Sequence, residues 1–188
     1  MTQVNTMTNR DDMNELTENG FERASSQEYV VRCQKLQDWK DKHQFSYQNH
    51  FRPQDLAQSI QKKFADQLPD KTEKFSLAGR IMLKRVMGKA SFMTIQDRSG
   101  RLQVYGRLQE IQEERFNLLK TLDLGDIIFV EGFLFRTRTG ELTLHLENFE
   151  LVNKALMPLP EKFHGLADQE LQYRQRYVDL IVTENSKK

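Results

Sequence analysis

From Phe75 the spacing of apolar residues along this chain changes from a helical period of 3.6 to a strand-like period of 2. The first alternating run carries Phe75, Leu77, Ile81 and Leu83 on one parity, with Gly79 between them, and Val86-Met87-Gly88-Lys89 supplies a turn glycine. In the second run Met93 and Ile95 share one parity and Phe92 and Thr94 the other. Asp97-Arg98-Ser99-Gly100 is a turn by composition. The third run sets Leu102 and Val104 against Arg101, Gln103 and Tyr105. Residues 109–122 return to helical spacing, with Ile111, Phe116 or Leu119, and Leu122 facing the barrel end. A fourth strand is predicted over 126–135. After Thr139-Gly140 a fifth places Leu142, Leu144 and Leu146 on one parity, ahead of Phe149 and Leu151. The break in parity near Glu147-Asn148 predicts a bulge, the usual means of bending a barrel strand.

Five strands with one helix between the third and fourth is the order of an OB-fold. That fold is a five-stranded Greek-key barrel whose oligonucleotide-binding face lies across strands 2 and 3. The expected class is therefore mainly β with helices, α+β, with N-terminal helices packed on the barrel and a helix at the C-terminal side. Four regions follow. Residues 1–24 are an acidic tail without period, expected to be disordered. Residues 25–70 form a helical segment, opened by a capping box at Ser25-Ser26-Gln27-Glu28. Its first helix, over 26–43, carries Tyr29, Cys33, Leu36 and Trp39, and Pro53 fits the first turn of a second with Leu56, Ile60 and Phe64 as its stripe. Helices this short are marginal alone and need a surface to pack on. The barrel domain spans 71–154, and residues 155–188 hold the stiff Met157-Pro158-Leu159-Pro160 link and a helix over 167–182 showing Leu171, Tyr177, Leu180 and Ile181.

Composition narrows the function classes. No apolar run approaches the roughly 20 residues that span a bilayer, and the N-terminus has no basic region followed by an apolar stretch, so neither a membrane partner nor a secretory signal is expected. The single cysteine, Cys33, allows no internal disulfide and suits a reducing compartment; on the helix stripe it reads as a buried, inert thiol. A cytoplasmic location follows as the default expectation. The net charge of +1 hides an uneven distribution. Residues 1–30 hold two basic and six acidic side chains, whereas residues 71–110 hold nine basic and three acidic. A basic stretch inside a near-neutral chain is the footprint of a localised phosphate contact, or else a solvated strand face.

Alternation makes the sharpest prediction about a site. If Met93, Ile95, Leu102 and Val104 fill the core, Phe92 and Gln103 face outward on neighbouring strands. An exposed phenylalanine offers a base a stacking surface, and an amide beside it can read a base edge. The alternative is a phenylalanine that covers the barrel flank. Lys84, Lys89, Thr94, Arg101, Tyr105 and Arg138 stand in or beside the same strands and turns as supporting contacts, Lys84-Arg85 flanks a turn that reads equally as a solvated loop, and Glu141 falls on the outward parity of the fifth strand. Catalytic chemistry is not evident. His43, His50, His145 and His164 have no partners at ligand spacing, Glu113-Glu114 sits on an exposed helix face, and phosphate-loop, nucleophile-elbow and dinucleotide fingerprints are absent. No metal site is expected.

Three strings carry a closer likeness. AGRIMLKRVMGKASFMTIQDRSGRLQVY, LDLGDIIFVEGFLFRTRTGELTLH and ALMPLPEKFHGLADQELQYRQRYVDLI resemble the N-terminal region of bacterial-type class II lysyl-tRNA synthetases, over about 26–182. The PLPEKFHGL and YRQRYVDLI strings are the most specific; aspartyl and asparaginyl relatives share the barrel without them. The resemblance implies an anticodon-binding barrel for tRNA(Lys), with no DNA partner. It implies that Phe92 stacks on the central uridine, that Gln103 reads its edge, and that Arg85 and Glu141 make further anticodon contacts. It also implies a homodimeric parent enzyme that uses ATP and magnesium in a catalytic domain. The motifs of such a domain are absent from these 188 residues, so the chain alone is expected to bind, without a cofactor of its own, and not to catalyse. The other readings are a regulatory or dimerisation fragment, the anticodon domain of a related aspartyl- or asparaginyl-tRNA synthetase, and a general single-strand-binding OB protein.

Overall fold

A computed structural model describes residues 27–43, 50–70, 72–159, 173–174 and 176–182. The expected disordered tail, the serines of the capping box and residues 167–172 and 175 of the expected 167–182 helix lie outside them. The elements are α1 (Gln27–His43), α2 (Ala57–Lys63), β1 (Phe75–Met87), β2 (Ala90–Gln96), β3 (Arg101–Arg107), α3 (Glu113–Thr121), β4 (Ile127–Arg136), β5 (Leu142–Asn153) and α4 (Arg176–Val182). The strands close in the order β1-β2-β3-β5-β4, with β4 returning to β1. All neighbours are antiparallel except β3 and β5, which run parallel where the chain crosses the barrel end.

The barrel is filled by the residues whose alternation defined it. Phe75, Leu77 and Ile81 of β1, Met93 and Ile95 of β2, and Leu102 and Val104 of β3 meet Ile128, Val130 and Leu134 of β4 and Leu144, Leu146, Phe149 and Leu151 of β5. Ile111, Leu119 and Leu122 close one end from α3 and its flanks, opposite the side-chain-free Gly106. The bulge expected in β5 is present: the β4–β5 register shifts between Glu131 and Gly132, skipping Glu147. There the backbones approach so closely that a Cβ on Gly132 would stand 1.8 Å from the His145 carbonyl oxygen.

β1 carries a second bulge. The β1–β2 register shifts between Ile81 and Leu83, so both Ile81 and Met82 are buried and Leu83 turns to solvent at 44% exposure. Leu83 was expected in the core on the parity of Ile81; the extra residue at Met82 reverses parity for the rest of the strand.

The N-terminal helices do pack on the barrel, by partly different contacts from those expected. The inner stripe of α1 is Arg32, Leu36 and Trp39, with Cys33 only half-buried. The Arg32 guanidinium donates to the carbonyl oxygens of Leu124 at 3.0 Å and Ala155 at 2.9 Å, and pairs with Glu28 at 2.7 Å. The Trp39 indole N–H donates to the Thr121 hydroxyl at 2.9 Å. Behind Arg32, Lys154 is buried between Asp123 at 2.6 Å and Asp126 at 2.8 Å, and Lys35 reaches Asp123 at 2.6 Å. Burial alone would raise the Asp123 carboxyl; hydrogen bonds from Lys154 and Lys35 override it and hold it below the usual range. α2 begins at Ala57, with Leu56 still extended, so Pro53 lies ahead of the helix and not in its first turn. Its N-terminal N–H groups are met by the β2–β3 turn instead: Ala57 donates to Asp97 Oδ2 at 2.7 Å and Gln58 to Ser99 Oγ at 3.0 Å. Asp97 is thereby drawn below the ordinary carboxylate range: burial alone would raise it, and hydrogen bonds from Ser99, Ala57 and Gly100 prevail.

Candidate nucleic-acid interface

The outward faces of the strands line up in two rows. One row runs Arg85, Phe92, Tyr105, His145, Phe133 across β1, β2, β3, β5 and β4, each residue opposite the next in register. The adjacent row runs Leu83, Thr94, Gln103, Thr143, Phe135. The parity reversal in β1 is what brings Arg85 and Leu83 into these rows. Without it Lys84 would take the outward place and Arg85 would point into the barrel.

A groove opens where the rows meet β1 and β2. Leu83 and Met87 form one wall, Phe92 and Thr94 the floor, and Arg85 and Gln103 the polar margins. The walls are apolar and exposed, Met87 at 57%. Phe92 is braced from behind by Tyr105, with ring centroids 4.7 Å apart and planes tilted by 42°. Tyr105 in turn contacts Phe135 at 5.7 Å and His145 at 5.5 Å, and His145 stacks on Phe133 at 4.5 Å. The result is a continuous, half-buried aromatic strip with one ring, Phe92, at its β2 end. A planar base can lie on such a ring, and stacking of this kind tolerates any base.

Gln103 lines the same groove as a polar group able to address a base edge. Its Nε2 donates to Glu141 Oε2 at 2.7 Å, and its Oε1 accepts from the Thr143 hydroxyl at 2.9 Å. Glu141 stands just before β5, in the turn that Gly140 closes with φ 84°. Each amide group keeps one further hydrogen-bonding position, one donor and one acceptor, for a ligand in the groove.

The residues expected to support these contacts divide. Arg85, Thr94 and Tyr105 belong to the groove or its backing. Lys89 is exposed in the β1–β2 turn, and Arg138 is exposed in the β4–β5 turn. Arg101 lies further along the ladder, where its Nε donates to Gln96 Oε1 at 2.9 Å. Lys84 points away: its ammonium donates to the carbonyls of Lys120 at 2.7 Å and Leu122 at 2.5 Å, at the C-terminal end of α3. Burial there pushes its pKa down to about 8, against the pull of Asp123 and Asp126. Lys84 thus anchors a helix end, and its neighbour Arg85 is the cation that faces the groove. Arg136 is likewise occupied, donating to the carbonyl oxygens of Gly140 at 2.7 Å and Phe64 at 2.9 Å. Among the described residues no group of three or more His, Cys, Asp or Glu side chains is placed to hold a metal ion, and no helix is long and apolar enough to cross a membrane.

Sequence reasoning missed Leu83, Met87 and Thr143. The first two were hidden by the bulge at Met82. The only sequence signal for Thr143 is its parity, opposite to that of Leu142 and Leu144.

Comparison with known proteins fits this geometry. Residues 75–152 match the model of the OB-fold nucleic acid binding domain of the tRNA anticodon type. That range covers all five strands and the α3 closure, so the barrel is an anticodon-binding OB-fold, a tRNA-binding module by class. The chain is 50% identical over 167 residues to a lysine–tRNA ligase of Legionella pneumophila, covering 87% of this chain and 33% of that protein. It is 51% identical over 147 residues to that of Methylobacillus flagellatus, covering 76% of this chain and 29% of that protein. It is 45% identical over 186 residues to that of Paraburkholderia phymatum, covering 97% of this chain and 36% of that protein. Most of the chain is thus similar to lysine–tRNA ligases, over a part of them that carries an OB-fold anticodon-binding domain. It spans about a third of the length of the curated relatives it matches.

Proposed function

We propose that this barrel reads the U-rich anticodon of tRNA(Lys) in the groove between β1, β2 and β3. The observation that carries the reading is the meeting, on one outward face, of a braced stacking ring, a fixed amide and a cation: Phe92, Gln103 and Arg85. Phe92 takes the central base by its face, Gln103 addresses its Watson–Crick edge, and Arg85 meets the neighbouring phosphate or base from the β1 side. Leu83 and Met87 shield the stack from water, and Glu141 stands within reach of an adjacent anticodon base.

In the longer relatives, named as ligases, the same reading would tie anticodon identity to the ligation of lysine. Ligase activity, the ATP and magnesium it would use in a catalytic domain, a homodimeric parent and a cytoplasmic location are parts of this proposal that rest on the family resemblance.

The test is a calorimetric titration of the 188-residue chain with a tRNA(Lys) anticodon stem-loop, repeated with the central uridine replaced by adenine. Binding that weakens at least tenfold on replacement, roughly one well-made base contact, supports the reading. Equal binding of the two loops contradicts it.

A further inference from the structure

We infer that Glu141 sets the discrimination between uridine and cytidine at the central base by fixing which way the Gln103 amide points. The inference rests on the groove reading above and deepens it. A glutamine amide is chemically two-faced: turned by half a revolution it exchanges its donor and acceptor with almost no change of shape. The two pyrimidines differ in the same exchange. Uracil presents N3–H as donor beside O4 as acceptor, whereas cytosine presents N3 as acceptor beside the N4 amino group as donor. An amide free to turn would read both.

Gln103 is not free to turn. On one side it faces the Glu141 carboxylate, 2.7 Å from Nε2. A carboxylate accepts and cannot donate, so the group turned toward it must be the NH2, in a charge-assisted bond stronger than a neutral one. Inverting the amide would set Oε1 against a negative oxygen. On the other side it faces the Thr143 hydroxyl, 2.9 Å from Oε1. That hydroxyl does not choose. It donates to Oε1 here, but it also lies 3.1 Å from the Glu141 carbonyl oxygen. It could turn its proton there and accept from an inverted amide instead. Orientation is therefore set by Glu141, and Thr143 follows.

With Nε2 held toward Glu141, the free lone pair of Oε1 and the second N–H of Nε2 face the groove in one order only. That order accepts from uracil N3–H and donates to O4. Cytosine in the same stacked position would set N3 against Oε1, acceptor to acceptor. Glu141 is thus a positioning residue for the central base, whatever it also contacts.

The experiment measures the ratio of affinities for two anticodon stem-loops, central U and central C, in the wild-type chain and in Glu141→Gln, Thr143→Val and Gln103→Ala. A neutral glutamine at 141 offers both a donor and an acceptor, so it lets the amide invert while preserving shape and packing. The expected result is a wild-type preference for U that falls by about tenfold in Glu141→Gln, chiefly through tighter binding of the C loop. In Gln103→Ala the ratio is already relaxed, and adding Glu141→Gln should change it no further; that non-additivity marks action through the amide. A ratio unchanged in Glu141→Gln, or changed equally with Gln103 absent, overturns the inference. So does a larger relaxation in Thr143→Val, which would hand the orientation to the hydroxyl. A wild-type chain without a preference at the central base would instead overturn the groove reading on which the inference rests.

Discussion

Phe92 and Gln103 occupy adjacent rows of one face, and the two contribute different things. On the proposed reading, stacking on Phe92 supplies affinity with little regard for the base, about 1–3 kcal/mol by truncation in comparable sites. Phe92→Ala should therefore weaken every stem-loop by a similar factor, whereas Phe92→Tyr should retain most binding; parallel titrations separate the two. A change of base preference in Phe92→Ala would mean that the ring does more than stack. Lys84 gives a prediction of another kind. Its pKa of about 8 in the folded chain lies below the 10.4 or so of an unfolded lysine. Between those values the unfolded chain holds the proton and the folded one releases it, so this residue makes stability rise with pH across that window. Urea midpoints of Lys84→Met, compared with wild type from pH 7 to 10, should show a flatter curve. A parallel pair of curves would contradict the buried position of the ammonium.

At the scale of elements, β1 shows what alternation can and cannot reveal. The outward placement of Phe92, Thr94, Gln103 and Tyr105 was legible because β2 and β3 are regular ladders from end to end. The placement of Arg85 was not, because one extra residue at Met82 reverses parity and leaves no mark of its own in the pattern: Ile81, Met82 and Leu83 are all apolar. The β5 bulge was legible because its extra residue is polar, Glu147 between Leu146 and Phe149. The helices reveal a similar limit. α1 was readable as a helix, but its inner stripe includes Arg32, whose charge is satisfied by carbonyl oxygens more than 90 residues away that no local pattern can announce. Arg32→Met should leave the Leu124 and Ala155 carbonyls short of a donor and cost about 1–3 kcal/mol. The single tryptophan, Trp39, sits on the same helix face, 4% exposed, and its emission should shift to the red if α1 loosens. An unshifted emission with unchanged stability would place the docking of α1 elsewhere.

For the whole molecule, a net charge of +1 means that no long-range field gathers RNA, and the groove acts through a few local cations. Arg85 lines it and Lys89 and Arg138 are exposed in the β1–β2 and β4–β5 turns; three phosphate contacts on single-stranded RNA would give a slope of log K against log salt near −2, about −0.7 for each. Arg85→Gln should make that slope shallower by roughly one such step, and an unchanged slope would remove Arg85 from the phosphate contacts. The barrel topology was legible from strand order alone, and the family strings placed the same four residues that the geometry brings to one face. What remained hidden, the wall of Leu83 and Met87 and the hydroxyl of Thr143, depends on register, which only the assembled sheet defines.

The central claim is that RNA enters the groove bounded by β1, β2 and β3. The most direct test follows backbone and side-chain amide resonances of the isotope-labelled chain during titration with the tRNA(Lys) anticodon stem-loop. The account predicts the largest shifts at Arg85, Phe92, Thr94 and Glu141 and at the Gln103 side-chain amide, with α1 and the 122–126 loop unmoved. Shifts concentrated on α1, or spread evenly over the basic surface without the Gln103 amide, would contradict it.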